Sequence, residues 1–371
     1  MKKRSTCRQS PKRGTKTRPE KRSFTIGMDL GDKASRYCVL DEQGMVVQEG
    51  SVATTKKGML QVFGARKRCR MAMEVGTHSP WVSRLLSGMG HEVIVANARQ
   101  VKLISHSSRK DDKLDARTLG RLARIDPELL RPIRHRSEQA QHDLLAIRVR
   151  AALVEARTAL INTARGLVKA LGERLPACDA DYLGTGKMEG LPEGLQETLK
   201  PLLEMVESLT EKIHASDGKI EQIARKDYPE TELLTQVSGV GNLIALTFVL
   251  TVEDKYRFSK SRDVGCYVGL RPKRSDSGDS QPQLRITKEG DVYLRKLLVQ
   301  GAHYILGARA PDTDLKRWGL KLSARGGKNA KKRAIVAVAR KLAILLHRLW
   351  VGGEVYEPLR NHPAPPRKAA A

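Results

Sequence analysis

The 371-residue sequence predicts a mixed α/β domain, then a long helical segment, then a helix-rich C-terminal domain. Three observations predict this. From residue 24 to about 130, runs with period-two apolar alternation are interleaved with helical patterns, which suits a mixed sheet with helices on its faces. From 137 to about 227, apolar residues recur at near-helical spacing over two long stretches, the pattern of an antiparallel helical hairpin or coiled coil. From 233 to about 351, apolar helical patterns flank a polar middle rich in Gly, Ser, Pro and Asp.

Residues 1–22 carry ten Lys or Arg against the single acid Glu20 and lack apolar periodicity, so a disordered basic tail is expected. Phe24–Leu30, Tyr37–Leu40 and Val46–Ser51 read as successive strands, with Asp41-Glu42-Gln43-Gly44 as a hairpin turn. A helix over Lys57–Arg66, a strand over Cys69–Glu74, a helix over Pro80–Met89 and a strand over Glu92–Val95 follow. A further helix starts near Asp111 and stops before Pro127. In the helical segment, Leu144, Ile147, Ala151, Val154, Leu160, Ala164, Leu167 and Leu171 mark one helix. Pro176 to Pro192 breaks the pattern, and Leu199, Leu202, Val206, Leu209, Ile213 and Ile220 mark the next. Arg271 to Asp291 reads as loop, and a Pro/Ala/basic tail closes the chain. The resulting division is a tail at 1–22, an α/β domain at 23–136, a helical dimerisation segment at 137–228, a C-terminal domain at 229–353 and a disordered tail at 354–371.

The 68 basic residues against 41 acidic ones give a net charge of +27, which draws polyanions and points first to nucleic acid. Aromatic residues are only 4%, which disfavours a base-stacking platform for single strands. The five cysteines are dispersed with no CxxC pair, so neither a zinc site nor a disulfide framework is expected, in keeping with a reducing compartment. The longest apolar run, Leu243 to Val252, is too short for a span of roughly 20 residues. The basic N-terminus leads into no signal-type apolar core, and a cytoplasmic, nucleoid-associated protein is expected.

Within this basic chain, three acidic clusters stand out. Ile26-Gly27-Met28-Asp29 and Met71-Ala72-Met73-Glu74 both read apolar-small-apolar-acidic at the end of a strand. Strand side chains alternate, so Asp29 shares a face with Gly27 and Glu74 with Ala72. Lys110-Asp111-Asp112-Lys113-Leu114-Asp115-Ala116 opens a helix. On a helical wheel, Asp112 lies near the centre of the stripe formed by Ala116, Leu119, Leu122 and Ala123, Asp115 lies toward its edge, and Asp111 lies further out. Buried carboxylates repel one another and are expensive unless cations sit among them. A divalent-metal site for phosphodiester chemistry is the economical explanation.

Two further segments bear on nucleic acid. Ser238-Gly239-Val240-Gly241, between two apolar helical patterns, reads as a helix-hairpin-helix turn, whose glycines let backbone N–H groups approach phosphate. Gly269-Leu270-Arg271-Pro272-Lys273-Arg274-Ser275-Asp276-Ser277-Gly278, followed by Arg285, Lys288 and Gly290, sets one Ser-Gly among cations. There Arg271, Lys273, Arg274, Arg285 and Lys288 are candidate phosphate contacts. A serine acts as a nucleophile only when activated.

Together these residues resemble the DEDD-type insertion-sequence transposases, a family that includes Piv-type DNA invertases and bridge-RNA-guided recombinases. The resemblance runs from about Phe24 to Gly352. It is carried by Asp29, by Glu74-Val75-Gly76-Thr77-His78-Ser79-Pro80-Trp81, by Lys110, Asp112, Asp115 and Ala116, and by the two C-terminal segments above. Ser238 departs from a proline usual before the hairpin glycine, and Ala98 from a usual Asn-Pro. The resemblance implies a ribonuclease H-like (RuvC-like) N-terminal domain whose Asp29, Glu74, Asp112 and Asp115 bind Mg2+. It implies that Ser277 attacks DNA to form a phosphoserine link, with the acids and the serine completing one composite site across protomers. It also implies a noncoding guide RNA and a dimer or tetramer held by the helical segment. The expected function is transposition of a mobile element; the alternatives are a water-using RuvC-like junction nuclease, a site-specific invertase and a non-enzymatic scaffold.

Overall fold

The computed structural model describes residues 24–97, 112–282 and 284–361, with the side chains of Asp112 and Lys113 outside that description. The basic tail at 1–22, Ala98, Lys110, Asp111 and the residues from 362 onward also lie outside the described residues. The chain divides into two compact units between residues 135 and 136.

The N-terminal unit is a five-stranded mixed sheet: β1 Thr25–Asp29, β2 Ala34–Leu40, β3 Val46–Ala53, β4 Arg70–Glu74 and β5 Glu92–Ala96, in the order β3-β2-β1-β4-β5. The β1–β2 and β2–β3 pairs are antiparallel, while β1–β4 and β4–β5 are parallel. Asp41 makes the expected turn: its Oδ1 accepts from the amides of Gln43 at 2.9 Å and Met45 at 2.8 Å. The strand alternation then sorts two faces. Ile26, Met28, Met71 and Met73 pack with Met59 and Phe63 of helix α1 (Lys56–Phe63) and with Val82 and Leu86 of α2 (Ser79–Gly88). On the other face, Ala72, Ile94 and Ala96 pack with Leu119, Leu122 and Ala123 of α3 (Asp112–Ile125). Helix α1 stops at Phe63, short of the expected Arg66, and the Gly64 amide closes its last turn onto Leu60 O.

The C-terminal unit begins with two long antiparallel helices, α4 (Glu138–Ala170) and α5 (Glu193–Asp227). Arg150 pairs with Asp217 and Arg157 with Thr210, so a seven-residue advance on one helix meets a seven-residue retreat on the other. The connection between them is more than the expected break. Leu175, Leu183, Met188 and Leu191 cap the far end of the pair in a core with Val168, Leu199 and Leu203. At the near end, Ala140, Leu144, Ile147, Ile220 and Ala224 join one core with α7 (Asn242–Val252), α9 (Val292–Ile305) and α11 (Ala330–Gly352). The helical segment 137–228 therefore shares its core with the segment 229–353. The apolar run at Leu243 to Val252 is α7, buried over Ile244–Val252. The remaining helices are α6 (Thr231–Thr235), α8 (Val264–Tyr267) and α10 (Asp314–Ser323).

Part of the expected 354–371 tail is held in place. The Tyr356 amide donates to Gln236 Oε1 at 2.9 Å, and the Asn361 amide donates to Asp314 Oδ2 at 2.8 Å. No helix among the described residues is long and apolar enough to cross a membrane.

Candidate catalytic site and nucleic-acid interface

Asp29 and Glu74 end two adjacent parallel strands in register, Met28 opposite Met73. Both acids face α3, because Gly27 and Ala72 do. The seating of α3 is set by Gly27, where an added Cβ would lie 1.9 Å from Ala116 O and 2.4 Å from the Gly120 amide nitrogen. Only glycine lets a helix come this close to a strand. The direction of α3 follows from its contacts. Arg70, at the start of β4, donates to Ala123 O at 2.9 Å, while Ala116 lies over the middle of β1. The first turn of α3 therefore lies at the strand ends that carry Asp29 and Glu74.

The consequence is electrostatic. The Glu74 carboxyl is pushed above its ordinary range, first by burial and then by the negative charge of Asp115. Like charges held together in a half-buried place are a feature of sites that work on charged substrates. Asp29, Glu74 and Asp115 are all half-buried. Asp112 belongs to the same first turn, its side chain outside the described residues.

The segment after Glu74 makes a polar rim. The Ser79 hydroxyl accepts from the Gly76 amide at 3.0 Å and donates to Gly76 O at 2.8 Å, closing a turn before α2. Trp81 Nε1 donates to His78 Nδ1 at 3.1 Å, which leaves Nε2–H to donate to Asp32 Oδ1 at 3.3 Å. The Asp32–His78 pair had no signal in the sequence, since 46 positions separate its members.

Among the described residues, no three carboxylate, imidazole or thiol side chains come together as a metal-holding group. The donors available at the strand ends are carboxylate oxygens, the hard ligands that suit Mg2+. The Asp115 charge that burdens Glu74 is one that a cation would relieve. In those two respects the residues present fit a divalent ion.

In the C-terminal unit, α6 and α7 flank the Ser238–Gly241 turn. Gly239 has φ +85° and faces α9, where an added Cβ would stand 3.0 Å from Gly301 O. Its glycine requirement is thus met by packing, whereas Gly241 is exposed at the start of α7. The polar stretch is loop, as expected, with isolated bridges at Pro272–Ile286 and Ser277–Ser280 that draw it into a narrow ribbon. Lys273 N donates to Arg285 O and Thr287 N to Arg271 O, each at 2.9 Å. Ser277 and Ser280 exchange amide–carbonyl bonds of 3.1 and 3.0 Å around Gly278-Asp279, so Ser277 stands at the tip. Ser277, Arg271, Lys273, Arg274, Arg285 and Lys288 are all exposed.

The ribbon's base is clamped. The Gly290 Cα faces Tyr267 O, where an added Cβ would lie 1.9 Å away. Buried Arg295 donates to Val268 O at 3.0 Å and to Glu289 O at 2.7 Å, tying both ends together. Lys288 holds a left-handed backbone, φ +58°, inside this clamp. A non-glycine residue adopts that conformation only where its surroundings impose it.

Residues 26–172 match the DEDD transposase model of the IS110 group, and residues 231–316 match the model described as transposase IS116/IS110/IS902 family. The chain belongs to the IS110 family of insertion-sequence transposases. It is 28% identical to the transposase for insertion sequence element IS1111A of Coxiella burnetii, over 89% of this chain and 90% of that protein. A probable family 20 transposase of Pseudomonas aeruginosa is 29% identical over 90% of this chain and 98% of its own length. The transposase for insertion sequence element IS1328 of Yersinia enterocolitica is 28% identical over 75% of this chain and 82% of its own.

The first matched span of this IS110-family transposase contains Asp29, Glu74, Asp112 and Asp115. The second contains Gly239, Gly241 and the whole ribbon with Ser277. Membership makes DNA a partner and DNA cutting the general role.

Proposed function

We propose that this transposase excises and inserts its own mobile element by cutting and rejoining DNA strands, with Ser277 as nucleophile and Asp29, Glu74, Asp112 and Asp115 as the acidic tetrad. The observation that carries the reading is the seating of α3 on Gly27, which brings Asp115 within electrostatic reach of Glu74. The strand order with α3 over the β1–β4 ends supports a ribonuclease H-like, RuvC-like domain. Mg2+ held by the four acids would supply Lewis-acid stabilisation of the charge that develops on the phosphate oxygens.

The chain's own residues do the rest. Ser277 Oγ gives up its proton and forms a bond to phosphorus, the bridging P–O bond of the strand breaks, and the departing oxygen takes up a proton in exchange. The phosphoserine ester keeps the energy of the phosphodiester, so reversal by a second strand end rejoins DNA without ATP. Arg271, Lys273, Arg274, Arg285 and Lys288 hold phosphates along the ribbon, with the amides at Gly239 and Gly241 as further contacts. A noncoding guide RNA and pairing of copies through α4 and α5, as dimer or tetramer, complete the reading, which follows the family resemblance.

The test is amplification across the excision junction in cells carrying wild type, Ser277→Ala or Asp112→Asn. A junction with wild type only supports the reading. A junction that survives Ser277→Ala, with no protein–DNA adduct, replaces it by a water-using nuclease. A junction that survives Asp112→Asn removes the tetrad.

A further inference from the structure

From residue 315 to 353 the chain contains no Asp or Glu and eleven Lys or Arg. Several of these cations have work inside the fold. Lys316 donates to Ala310 O, Arg317 pairs with Asp312, Lys341 lies 3.9 Å over the Trp318 ring and Arg348 pairs with Glu354. Five others do not. Lys321, Arg325, Lys328, Lys331 and Lys332 are exposed, and none of them is in an ion pair among the described residues. They sit on the end of α10, on the turn 324–329 and on the first turn of α11.

The helices of that hairpin pack closely. An added Cβ at Gly319 would lie 2.6 Å from both Leu306 Cδ2 and Val338 Cγ2, so α10 and α11 meet with their backbones close. Leu315, Ala334 and Val338 are buried beneath. Lys321, Lys331 and Lys332 are therefore carried on closely packed helices, with Arg325 and Lys328 on the turn between them and no acid in residues 315–353. Like charges in such proximity oppose one another, and a polyanion is the partner that removes the opposition.

We infer that the α10–α11 hairpin is a second DNA-binding surface, separate from the ribbon, that grips the sugar–phosphate backbone of duplex DNA without reading sequence. Four of the five cations are lysines, compact point charges suited to phosphate, without the planar fork that selects paired carboxylate oxygens. Trp318 is covered by Lys341, and the turn offers no other aromatic on which an unpaired base would stack. The inference rests on the reading of the chain as a DNA-handling enzyme.

The test is binding of the full chain to a labelled random-sequence duplex over a range of salt concentrations. One variant combines Lys321→Gln, Arg325→Gln, Lys328→Gln, Lys331→Gln and Lys332→Gln. A control of equal charge combines Lys169→Gln, Arg174→Gln, Lys187→Gln, Lys200→Gln and Lys226→Gln. With a slope of log K against log salt of about 0.9 per phosphate contact, the hairpin variant is expected to lose about 4.5 from the slope, and more than ~100-fold in affinity at 0.1 M salt. The control is expected to keep the slope.

Equal losses in both variants would reduce the effect to net charge and overturn the surface. An unchanged slope in the hairpin variant, with wild type steep, would overturn the surface and leave the recombinase reading intact. Wild type that fails to bind duplex DNA would overturn both. A slope change seen on duplex RNA alone would overturn the DNA assignment. If the glutamine variant melts early, a set with Lys321, Lys328, Lys331 and Lys332 each changed to Arg decides: it keeps the slope if the surface is right, and loses it if packing was responsible.

Discussion

Gly27→Ala tests the placement of the acids without touching an acid. The added Cβ would lie 1.9 Å from Ala116 O, and ordinary contact begins at 3.4 Å, so α3 must retreat by about 1.5 Å at that point. Overpacking of this kind costs roughly 1–3 kcal/mol. In a domain of about this size each kcal/mol lowers Tm by roughly 4–8 °C. Asp115 is the residue before Ala116 and moves with it. A displacement of about 1 Å at a reacting centre costs about 100-fold in rate. The assay is quantitative junction amplification at matched protein level, alongside a thermal melt. Gly120→Ala is the internal contrast. Its Cβ would meet Gly27 N at 3.1 Å and Leu40 Cδ1 at 3.3 Å, a shortfall of a few tenths of an ångström. The gain in helix propensity, about 1 kcal/mol, offsets that strain. Gly120→Ala should thus excise near the wild-type rate, with Tm within a few degrees. A Gly27→Ala protein that melts and excises like wild type would refute the seating of α3, and with it the juxtaposition of Glu74 and Asp115.

Three further outcomes follow from the C-terminal unit. Asp143 is buried; burial raises its carboxyl, but hydrogen bonds from Tyr228, Gln139 and His142 outweigh this and leave it below its ordinary range. Tyr228→Phe removes a 2.7 Å bond to that carboxylate and should cost about 1.5–3 kcal/mol at pH 7. Because the folded-state value is depressed, the difference from wild type should shrink as pH falls below 3.8, read by urea titration at each pH. His347 is buried and held below 6.5 by that burial, with Nε2 donating to Lys255 O at 2.9 Å and the Ser261 hydroxyl donating to Nδ1 at 3.0 Å. The unfolded chain takes up a proton that the folded chain resists, so stability falls as pH drops from 6.5 toward the depressed value. His347→Gln should remove up to about 1.4 kcal/mol per pH unit of that slope, measured by urea melts between pH 7 and 5. Arg295→Met leaves Val268 O and Glu289 O without their donor at the foot of the ribbon. Cleavage within 271–287 under limited proteolysis should become faster, and an unchanged cleavage rate would show that the clamp is not Arg295.

The sheet was legible because its pattern is local. Ile26 and Met28 alternate with Gly27 and Asp29, and Asp41 supplies a turn whose bonds are short in sequence. The facing of Asp29 and Glu74 followed from the same alternation. What the pattern could not carry was distance. That Gly27 matters through Ala116 and Gly120, some 90 residues on, is a property of how closely a helix can approach a strand. The 137–228 segment was legible as two helices. That its near end joins the core of α7 and α9 was not legible, because Leu144, Ile147 and Ile220 look the same in sequence whether their partners lie in the pair or in those helices. The 271–287 stretch was legible as loop from its Gly, Ser, Pro and Asp; the isolated bridges that draw it into a ribbon join residues whose pairing no local pattern marks.

The two sets of proposed catalytic groups are held in opposite ways, and the difference bears on how the enzyme works. Asp115 stands on a helix seated against β1 at Gly27, and Glu74 ends β4, the parallel neighbour of β1, so both are held by packed backbone. Ser277 stands at the exposed tip of a ribbon whose ordering is concentrated at its base, in Gly290, Lys288 and Arg295. Exposed cations flank that ribbon on both sides, so in the proposed function phosphates bound there would order the serine. On this argument, mutations in the acids change the chemical step, while mutations of Arg271, Lys273 or Arg285 change how often Ser277 is in line. The two classes separate by salt: raising ionic strength from 50 to 200 mM should slow formation of the serine–DNA adduct steeply in wild type and less in the ribbon variants, whereas an Asp115→Asn protein should bind DNA with the wild-type salt slope and form no adduct.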